Sequence, residues 1–169
     1  MSSEHLVLLD SEVHDVDGVK GLVLWRSFNS TGRRDIYSLP YLIEEDSEKY
    51  RQRYLSWINE LSSSNVGSKG LQARMQIRPG FTYWWMTLIN ERSYAKSPKI
   101  YDVLRLFAFE DLCDKIKPKK VSIVSENVDL IETIKRFCES AGYTYVSSSK
   151  SKTVKPLLIL SSFTYGLEI

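Results

Sequence analysis

The most distinctive chemical feature of the sequence is an adjacent pair of tryptophans, Trp84 and Trp85, with an acidic residue, Glu91, a short distance downstream. Indole faces stack on the apolar C–H faces of sugar rings, and a carboxylate nearby could act as a general base toward a sugar hydroxyl. Neighbouring side chains on a helix point about 100° apart, so either one indole faces the core and the other a groove, or both are buried between helices. Glu91 is equally compatible with a solvated residue that pairs with Lys96.

Basic and hydroxyl side chains surround the helix start that follows. They are Arg92, Lys96 and Ser97, with Ser93 and Lys99 beside them. Together with the free backbone N–H groups of a helix N-terminus, such a cluster could hold a phosphate or an acidic sugar.

A second candidate helix start, Ser125-Glu126-Asn127, follows a predicted strand directly. Ligands of α/β folds bind at the carboxyl ends of strands, where helix N-termini favour anions. The sequence contains neither a G-x-G-x-x-G fingerprint nor a Walker loop, which disfavours a small nucleotide-binding, flavodoxin-like protein. The alternative is an ordinary strand-to-helix turn that Asn127 caps.

Metal binding and nucleophilic catalysis have little support in the sequence. His5 and His14 have no serine or cysteine partner at a known catalytic spacing, and the acids near His14 do not complete a set of three metal ligands. Cys113 and Cys138 lie among apolar residues in helical patterns, as reduced core cysteines of a cytoplasmic protein do. We therefore expect no metal site and no cofactor.

Local patterns in the first half of the chain predict two strands and a helix. The short apolar runs at 6–9 and 21–25 suit buried strands, whereas 26–40 is rich in turn residues and is predicted to be a loop. Residues 46–61 are predicted to be helical, because their apolar side chains recur on one face.

Two further helices are predicted around the tryptophan pair. Thr82 could cap a helix with its hydroxyl. The buried face of that helix would comprise Trp85, Leu88, Ile89 and the stem of Arg92. The dipeptide Ser97-Pro98 is typical of a helix start, and the apolar stripe that follows continues to about Ile116, before Pro118.

The clearest pattern is a strand–helix–strand unit near the end of the chain. Strand 121–124 precedes a helix that Asn127 caps and Gly142 ends, and a strand follows at 143–146. A strand, a helix and a second strand with short joins imply that the two strands pair in parallel through a right-handed crossover. We therefore predict one α/β domain over 1–169, a Rossmann-like three-layer fold with a mostly parallel sheet flanked by helices. Within it, 146–169 would form a flexible loop and an apolar tail leading toward a second domain.

Composition and charge bound the function classes. The chain has 169 residues and a net charge of +2, which does not argue for nucleic acid. The charge is uneven, with 10 acids and 5 bases in 1–50 (−5) against 11 acids and 18 bases in 51–169 (+7). The later part could attract a phosphate, a nucleotide sugar or an anionic membrane surface, although solvated cations on helix faces explain the excess equally well. No run of about 18 apolar residues indicates a membrane span, and the acidic N-terminus is unlike a secretory signal.

Several stretches together resemble a known family. In order along the chain they are 51–58 (RQRYLSWI), 81–93 (FTYWWMTLINERS), 96–98 (KSP) and 102–110 (DVLRLFAFE). They resemble the N-terminal region of bacterial surface-carbohydrate biosynthesis proteins from O-antigen and capsule gene clusters. Those proteins are similar to glycosyltransferases with two Rossmann-like domains, the GT-B architecture. The resemblance covers roughly residues 20–146, and members of the group are several times longer than this chain.

The resemblance implies an acceptor-side domain that would transfer little sugar alone. Its partners would be a saccharide acceptor and a nucleotide-sugar donor held mainly by a C-terminal domain, with metal-free transfer at the cytoplasmic face of the membrane. Glu91 would be the base, and Trp84 and Trp85 a stacking wall. Arg92, Lys96 and Ser97 would contact phosphate or an acidic sugar. The alternative is a non-enzymatic docking or scaffold module of a carbohydrate-biosynthesis complex, in which the aromatic residues are simply core.

Overall fold

The computed structural model describes residues 5–10, 21–30, 35–91, 96–97 and 99–147. In this part of the chain the strands, numbered in chain order, are β1 His5–Leu9, β2 Leu22–Leu24, β3 Ile36–Ser38, β4 Asn65–Val66, β5 Lys69–Gly70, β6 Gln76–Arg78, β7 Phe81–Thr82, β8 Lys120–Val124 and β9 Thr144–Ser147. The helices are α1 Leu39–Glu45, α2 Ser47–Ser63, α3 Leu71–Arg74, α4 Leu88–Glu91, α5 Lys99–Ile116 and α6 Val128–Ala141, with a 3₁₀ helix at Tyr83–Met86.

A five-stranded sheet in the order β3-β2-β1-β8-β9 forms the centre of the molecule. All four pairings are parallel, and Leu8 of β1 lies opposite Val23 of β2 on one side and Ile123 of β8 on the other. The chain runs outward from β1 to β3 and then returns to the opposite side of β1 at β8. This arrangement confirms the predicted α/β, Rossmann-like fold.

The strands alternate apolar side chains between two cores of unequal size. Leu6 and Leu8 of β1 lie in the larger core, together with Val121 and Ile123 of β8. Among the described residues, every buried helix residue in a hydrophobic cluster belongs to this core. The smaller cluster consists of strand side chains alone, centred on Leu9. The described helices therefore pack against the sheet through the larger core.

The strand–helix–strand unit β8-α6-β9 forms as predicted. The Asn127 side chain accepts hydrogen bonds from the backbone N–H groups of Asp129 and Leu130 at the start of α6. Gly142 ends the helix with a φ of 78°, a left-handed conformation that glycine adopts without strain. β9 then pairs with β8 in parallel. The apolar stripe of α5 is also confirmed, with Ile100, Leu104 and Leu112 buried.

The loop predicted at 26–40 is wrong over its last residues. Ile36–Ser38 form β3, which pairs with β2, and α1 begins directly afterwards at Leu39. The Ser38 hydroxyl accepts a hydrogen bond from the Tyr41 N–H at 3.3 Å, and Pro40 occupies the first turn, where its missing N–H costs nothing. Serine followed by proline is a helix-start signal, and the turn residues earlier in this stretch obscured it.

Candidate functional site

A small substructure outside the sheet holds the tryptophan pair. α3 leads into the β6–β7 hairpin, which Gly80 turns with a φ of 76°, and the 3₁₀ helix follows. Thr82 joins these pieces, because its hydroxyl donates to the Gln72 carbonyl at 3.0 Å and accepts from the Trp84 N–H at 3.3 Å. The Tyr83 N–H donates to the Met75 carbonyl at 2.8 Å. These bonds fix the entry of the chain into the 3₁₀ helix, so Thr82 is a cap as predicted.

The two tryptophans have opposite environments. Trp84 is 3% exposed and belongs to the larger core, whereas Trp85 is 60% exposed. A 3₁₀ helix has about three residues per turn, so consecutive side chains point about 120° apart and only one of the pair can face the core. The predicted buried face is therefore wrong for Trp85, and also for Leu88, which is half exposed. The two rings do not form one continuous wall.

Hydrogen bonds behind Trp84 hold the pair in this orientation. The Thr87 hydroxyl and the Asn90 side-chain amide donate to the Trp84 carbonyl at 2.8 and 2.7 Å. Tyr54 of α2 donates its hydroxyl to the Ile89 carbonyl at 3.1 Å, which ties α4 to the core. The indole N–H of Trp84 is buried and finds no acceptor within the described part of the chain. Trp84 is thus a core anchor that presents Trp85 to solvent.

Trp85 lines an open cavity of about 400 Å³. The other lining residues are Gln72, Ala73, Gln76, Gly80, Phe81 and Thr82. The side-chain amides of Gln72 and Gln76 make no hydrogen bond to any residue within the described ranges, so their donors and acceptors remain available. An aromatic face beside free amides matches the amphipathic surface of a sugar, which has apolar C–H faces and a rim of hydroxyls.

Of the remaining residues that the sequence predicted for the site, the structure describes the side chains of some and not of others. Glu91 ends α4, and its side chain lies outside the described residues, as does Arg92. Lys96 is exposed and Ser97 half buried, and the Ser97 carbonyl accepts from the Ile100 N–H at 3.1 Å in the first turn of α5. Neither of them lines the Trp85 cavity.

A second polar cluster occupies the carboxyl edge of the sheet, where β1 and β8 meet. Asp10, directly after β1, pairs with Arg26 at 2.6 Å and accepts a hydrogen bond from the Ser125 hydroxyl, also at 2.6 Å. Ser125 in turn accepts from the Asn127 N–H at 3.0 Å. The order of strands reverses at this point, which is where open α/β sheets bind ligands. Sequence reasoning found Ser125 and Asn127 but missed Asp10 and Arg26.

The cluster at the sheet edge is already paired within itself. The Asp10 side chain is 8% exposed, and Arg26 and Ser125 each engage one of its oxygens. A ligand would have to displace these bonds before it could use the same groups. The Trp85 cavity, whose glutamine amides have no partner among the residues that the structure describes, is therefore the stronger candidate for a binding site.

A third charged cluster joins α2 to α5 on their outer side. Arg53 pairs with Glu110 and with Asp111, the latter at 2.7 Å, while Lys49 reaches the second oxygen of Asp111 at 2.8 Å. Burial and the neighbouring Asp111 charge raise the pKa of Tyr50 above its ordinary value. These groups satisfy one another across a helix–helix contact, so the perturbed pKa has a structural origin. Within the described ranges, no group of three acids, histidines or cysteines is placed to hold a metal ion.

Comparison of the chain with protein-family models, with curated proteins and with solved structures yields no match. The assignment of a function to this site consequently rests on the geometry of Trp85 and its neighbours and on the sequence resemblance.

Proposed function

We propose that this chain is the acceptor-side domain of a glycosyltransferase-like protein of bacterial surface polysaccharide synthesis, and that the Trp85 cavity binds the saccharide acceptor. One observation carries the proposal: a tryptophan that is 60% exposed lines a cavity together with two glutamine amides that bond to no other described residue. An indole face left in water is costly unless something covers it, and free amides provide directional hydrogen bonds to hydroxyls.

The roles within the site follow from side-chain chemistry. Trp85 stacks on the apolar face of a sugar ring, and Gln72 and Gln76 hydrogen-bond the hydroxyls around that ring. Trp84 supports Trp85 from the core. Glu91, at the end of the following helix, is proposed as the base or hydroxyl-orienting group.

The remaining candidates complete the proposed reaction. Arg92, Lys96 and Ser97 are proposed to contact phosphate or an acidic sugar. The nucleotide-sugar donor is proposed to bind mainly to a further domain, so the chain alone would bind an acceptor without turnover. We propose that the sugar transfer takes place at the cytoplasmic face of the membrane, without metal or cofactor.

A calorimetric titration with neutral and acidic oligosaccharides tests the proposal. The wild-type chain should bind at least one saccharide, and Trp85→Ala should weaken binding about tenfold or more, because the stacking surface is lost. Trp85→Phe should retain part of the affinity. Phe28→Ala is the matched control, since Phe28 is an exposed aromatic residue outside the cavity lining. Gln72→Ala and Gln76→Ala should weaken binding without altering stability.

Two results would contradict the proposal. If the chain bound nucleotides or nucleotide sugars and no saccharide, this domain would hold the donor and not the acceptor. No binding of any saccharide by a folded chain would favour the alternative function, a docking or scaffold module of a biosynthetic complex.

A further inference from the structure

The Trp85 cavity has uncharged walls and an arginine directly beside one of them. None of the described residues that line the cavity has a charged side chain. Phe81, one of the lining residues, lies under the guanidinium of Arg78, whose central carbon is 5.3 Å from the ring centre. Arg78 and Phe81 also oppose each other across the β6–β7 hairpin, and directly opposed residues of an antiparallel pair project on the same side. The charge of Arg78 therefore lies on the side of the hairpin that bears Phe81.

No acidic residue of the surrounding stretch offsets this charge. Residues 61–90 contain the whole cavity lining, and they include Lys69, Arg74 and Arg78 but not one Asp or Glu. Arg78 forms no ion pair with a carboxylate in the described part of the chain. A guanidinium positioned over a ring can still donate its in-plane N–H groups to a ligand. An anionic ligand in the cavity would thus meet a cation and no acid from this stretch.

The other two cations of the stretch are placed differently. The Arg74 guanidinium lies against Gly67, where a Cβ atom would meet its Nη2 at 2.7 Å. Gly67 belongs to the turn between β4 and β5, and Lys69 lies on β5. Neither cation lines the cavity. Of the three, Arg78 is the one whose charge lies over a cavity-lining ring.

We infer that the acceptor saccharide is acidic, and that Arg78 binds the carboxylate of a hexuronic acid unit stacked on Trp85. The inference rests on the proposed function, because it names the class of sugar for the same cavity. The carboxylate of a hexuronic acid projects from the rim of the sugar ring, so stacking on an indole directs the charge sideways. Lys96 and Ser97 do not line the cavity, so Arg78 supplies recognition of the anion at the cavity itself.

A carboxylate suits this position better than a phosphate does. A guanidinium presents paired N–H donors that match the two oxygens of a carboxylate, and its single charge balances that of the carboxylate. A phosphate monoester carries a charge of about −1.5 to −2 at neutral pH. Gln72 and Gln76 add no positive charge to meet the excess, but their amides can bond the hydroxyl groups of a uronic acid ring.

Calorimetric titration with acid and ester forms of the same saccharide tests the inference. The probes are trigalacturonate and a hyaluronan tetrasaccharide, each compared with its methyl ester, which keeps the sugar rings and removes the charges. The wild-type chain should bind the acid form of at least one pair about fivefold more tightly than the ester in dilute buffer. The difference should shrink in about 0.5 M salt, because the charges become screened.

Variants of two arginines assign the preference to a residue. Arg78→Gln should lower the affinity for the acid form about fivefold and leave that for the ester unchanged. Arg78→Lys should retain part of the preference, because the charge remains while the paired donors are lost. Arg74→Gln is the matched control, since it removes a cation of the same stretch that lies against Gly67. It should change the ratio of the two affinities by less than about twofold, because solvent screens a more distant charge.

The outcomes separate this inference from the proposed function. Equal binding of acid and ester, both lost in Trp85→Ala, would support saccharide binding and overturn the acidic specificity. A preference for the acid that survives Arg78→Gln, or that falls equally in Arg74→Gln, would overturn the role of Arg78. Tighter binding of glucose 6-phosphate than of either uronate would overturn the assignment of a carboxylate. If the folded chain bound no member of either pair, both the inference and the proposed saccharide site would be wrong.

Discussion

Replacing Arg53 by alanine removes the residue at the centre of the contact between α2 and α5. Its guanidinium donates to Glu110, to Asp111 at 2.7 Å and to the Phe107 carbonyl at 3.3 Å, and it lies 4.4 Å from the centre of the Phe107 ring. The side chain is 32% exposed, so solvent screens each ion pair to about 0.5–1 kcal/mol. The ring contact adds about 0.5–1 kcal/mol. Two ion pairs and the ring contact together predict a loss of about 1.5–3 kcal/mol in the free energy of unfolding.

Urea denaturation followed by tryptophan fluorescence measures this loss. Arg136→Ala is the matched control, because Arg136 forms a single ion pair with Glu132 at 3.0 Å and both side chains are well exposed. That substitution should cost no more than about 0.5 kcal/mol. Equal losses in Arg53→Ala and Arg136→Ala would refute the reasoning, since the Arg53 network would then contribute no more than one surface pair.

The effect of Arg53→Ala should also depend on pH. Burial raises the pKa of Asp111, but the hydrogen bond from Lys49 and the charges of Arg53 and Lys49 outweigh it, so the pKa lies below its usual value of 3.8. A carboxyl group whose pKa is lowered by folding stabilises the native state above pH 3.8 and loses that contribution as the pH falls through its folded pKa. The destabilisation by Arg53→Ala should therefore be full at neutral pH and shrink in acid. A loss that is constant with pH would contradict this.

Three other substitutions or treatments test the assignments of individual residues. Trp84→Phe should change the free energy of unfolding by no more than about 1 kcal/mol, because the N–H group that it removes has no acceptor among the described residues. Trp84→Ala should cost about 3–5 kcal/mol by leaving a cavity, and urea titration of both variants compares them. Asn127→Ala should cost about 0.5–2 kcal/mol, since two backbone N–H groups of α6 lose their acceptor, and the same titration measures it. Burial raises the pKa of Cys113 to about 12 and that of Cys138 to about 11. Iodoacetamide at pH 8 should therefore alkylate both only when urea unfolds the chain, as mass spectrometry would show; rapid native labelling would contradict their burial.

Sequence reasoning succeeded where the determining interactions are close along the chain. The cap of Asn127, the left-handed Gly142 and the apolar stripe between them are all contained within one helix. The parallel pairing of β8 and β9 follows from the helix between them, which returns the chain to the end of the sheet where β8 began. It failed where turn residues and a strand shared one stretch, because Ile36–Ser38 becomes a strand only by pairing with β2.

The candidate site was predicted only in part, because it also depends on contacts between separate segments of the chain. An adjacent tryptophan pair is compatible with one buried and one exposed ring or with two buried rings, and the sequence left both alternatives open. Thr82, Thr87 and Asn90 bond the segment around Trp84, and the resulting 3₁₀ geometry turns Trp85 outward. Gln72 and Gln76 carried no signal in the sequence, because isolated glutamines are ordinary surface residues until a hairpin brings them beside an indole.

Periodicity, caps and turn residues act over a few positions, so the amino-acid sequence was sufficient to predict the fold class, the elements β8, α6 and β9, and an unusual aromatic segment. Contacts between distant residues depend on how the sheet assembles. Asp10 and Ser125 are 115 positions apart and touch because β8 pairs with β1. Strand order is set by the burial of whole faces against helices, a property of the assembled sheet that no local stretch of sequence contains.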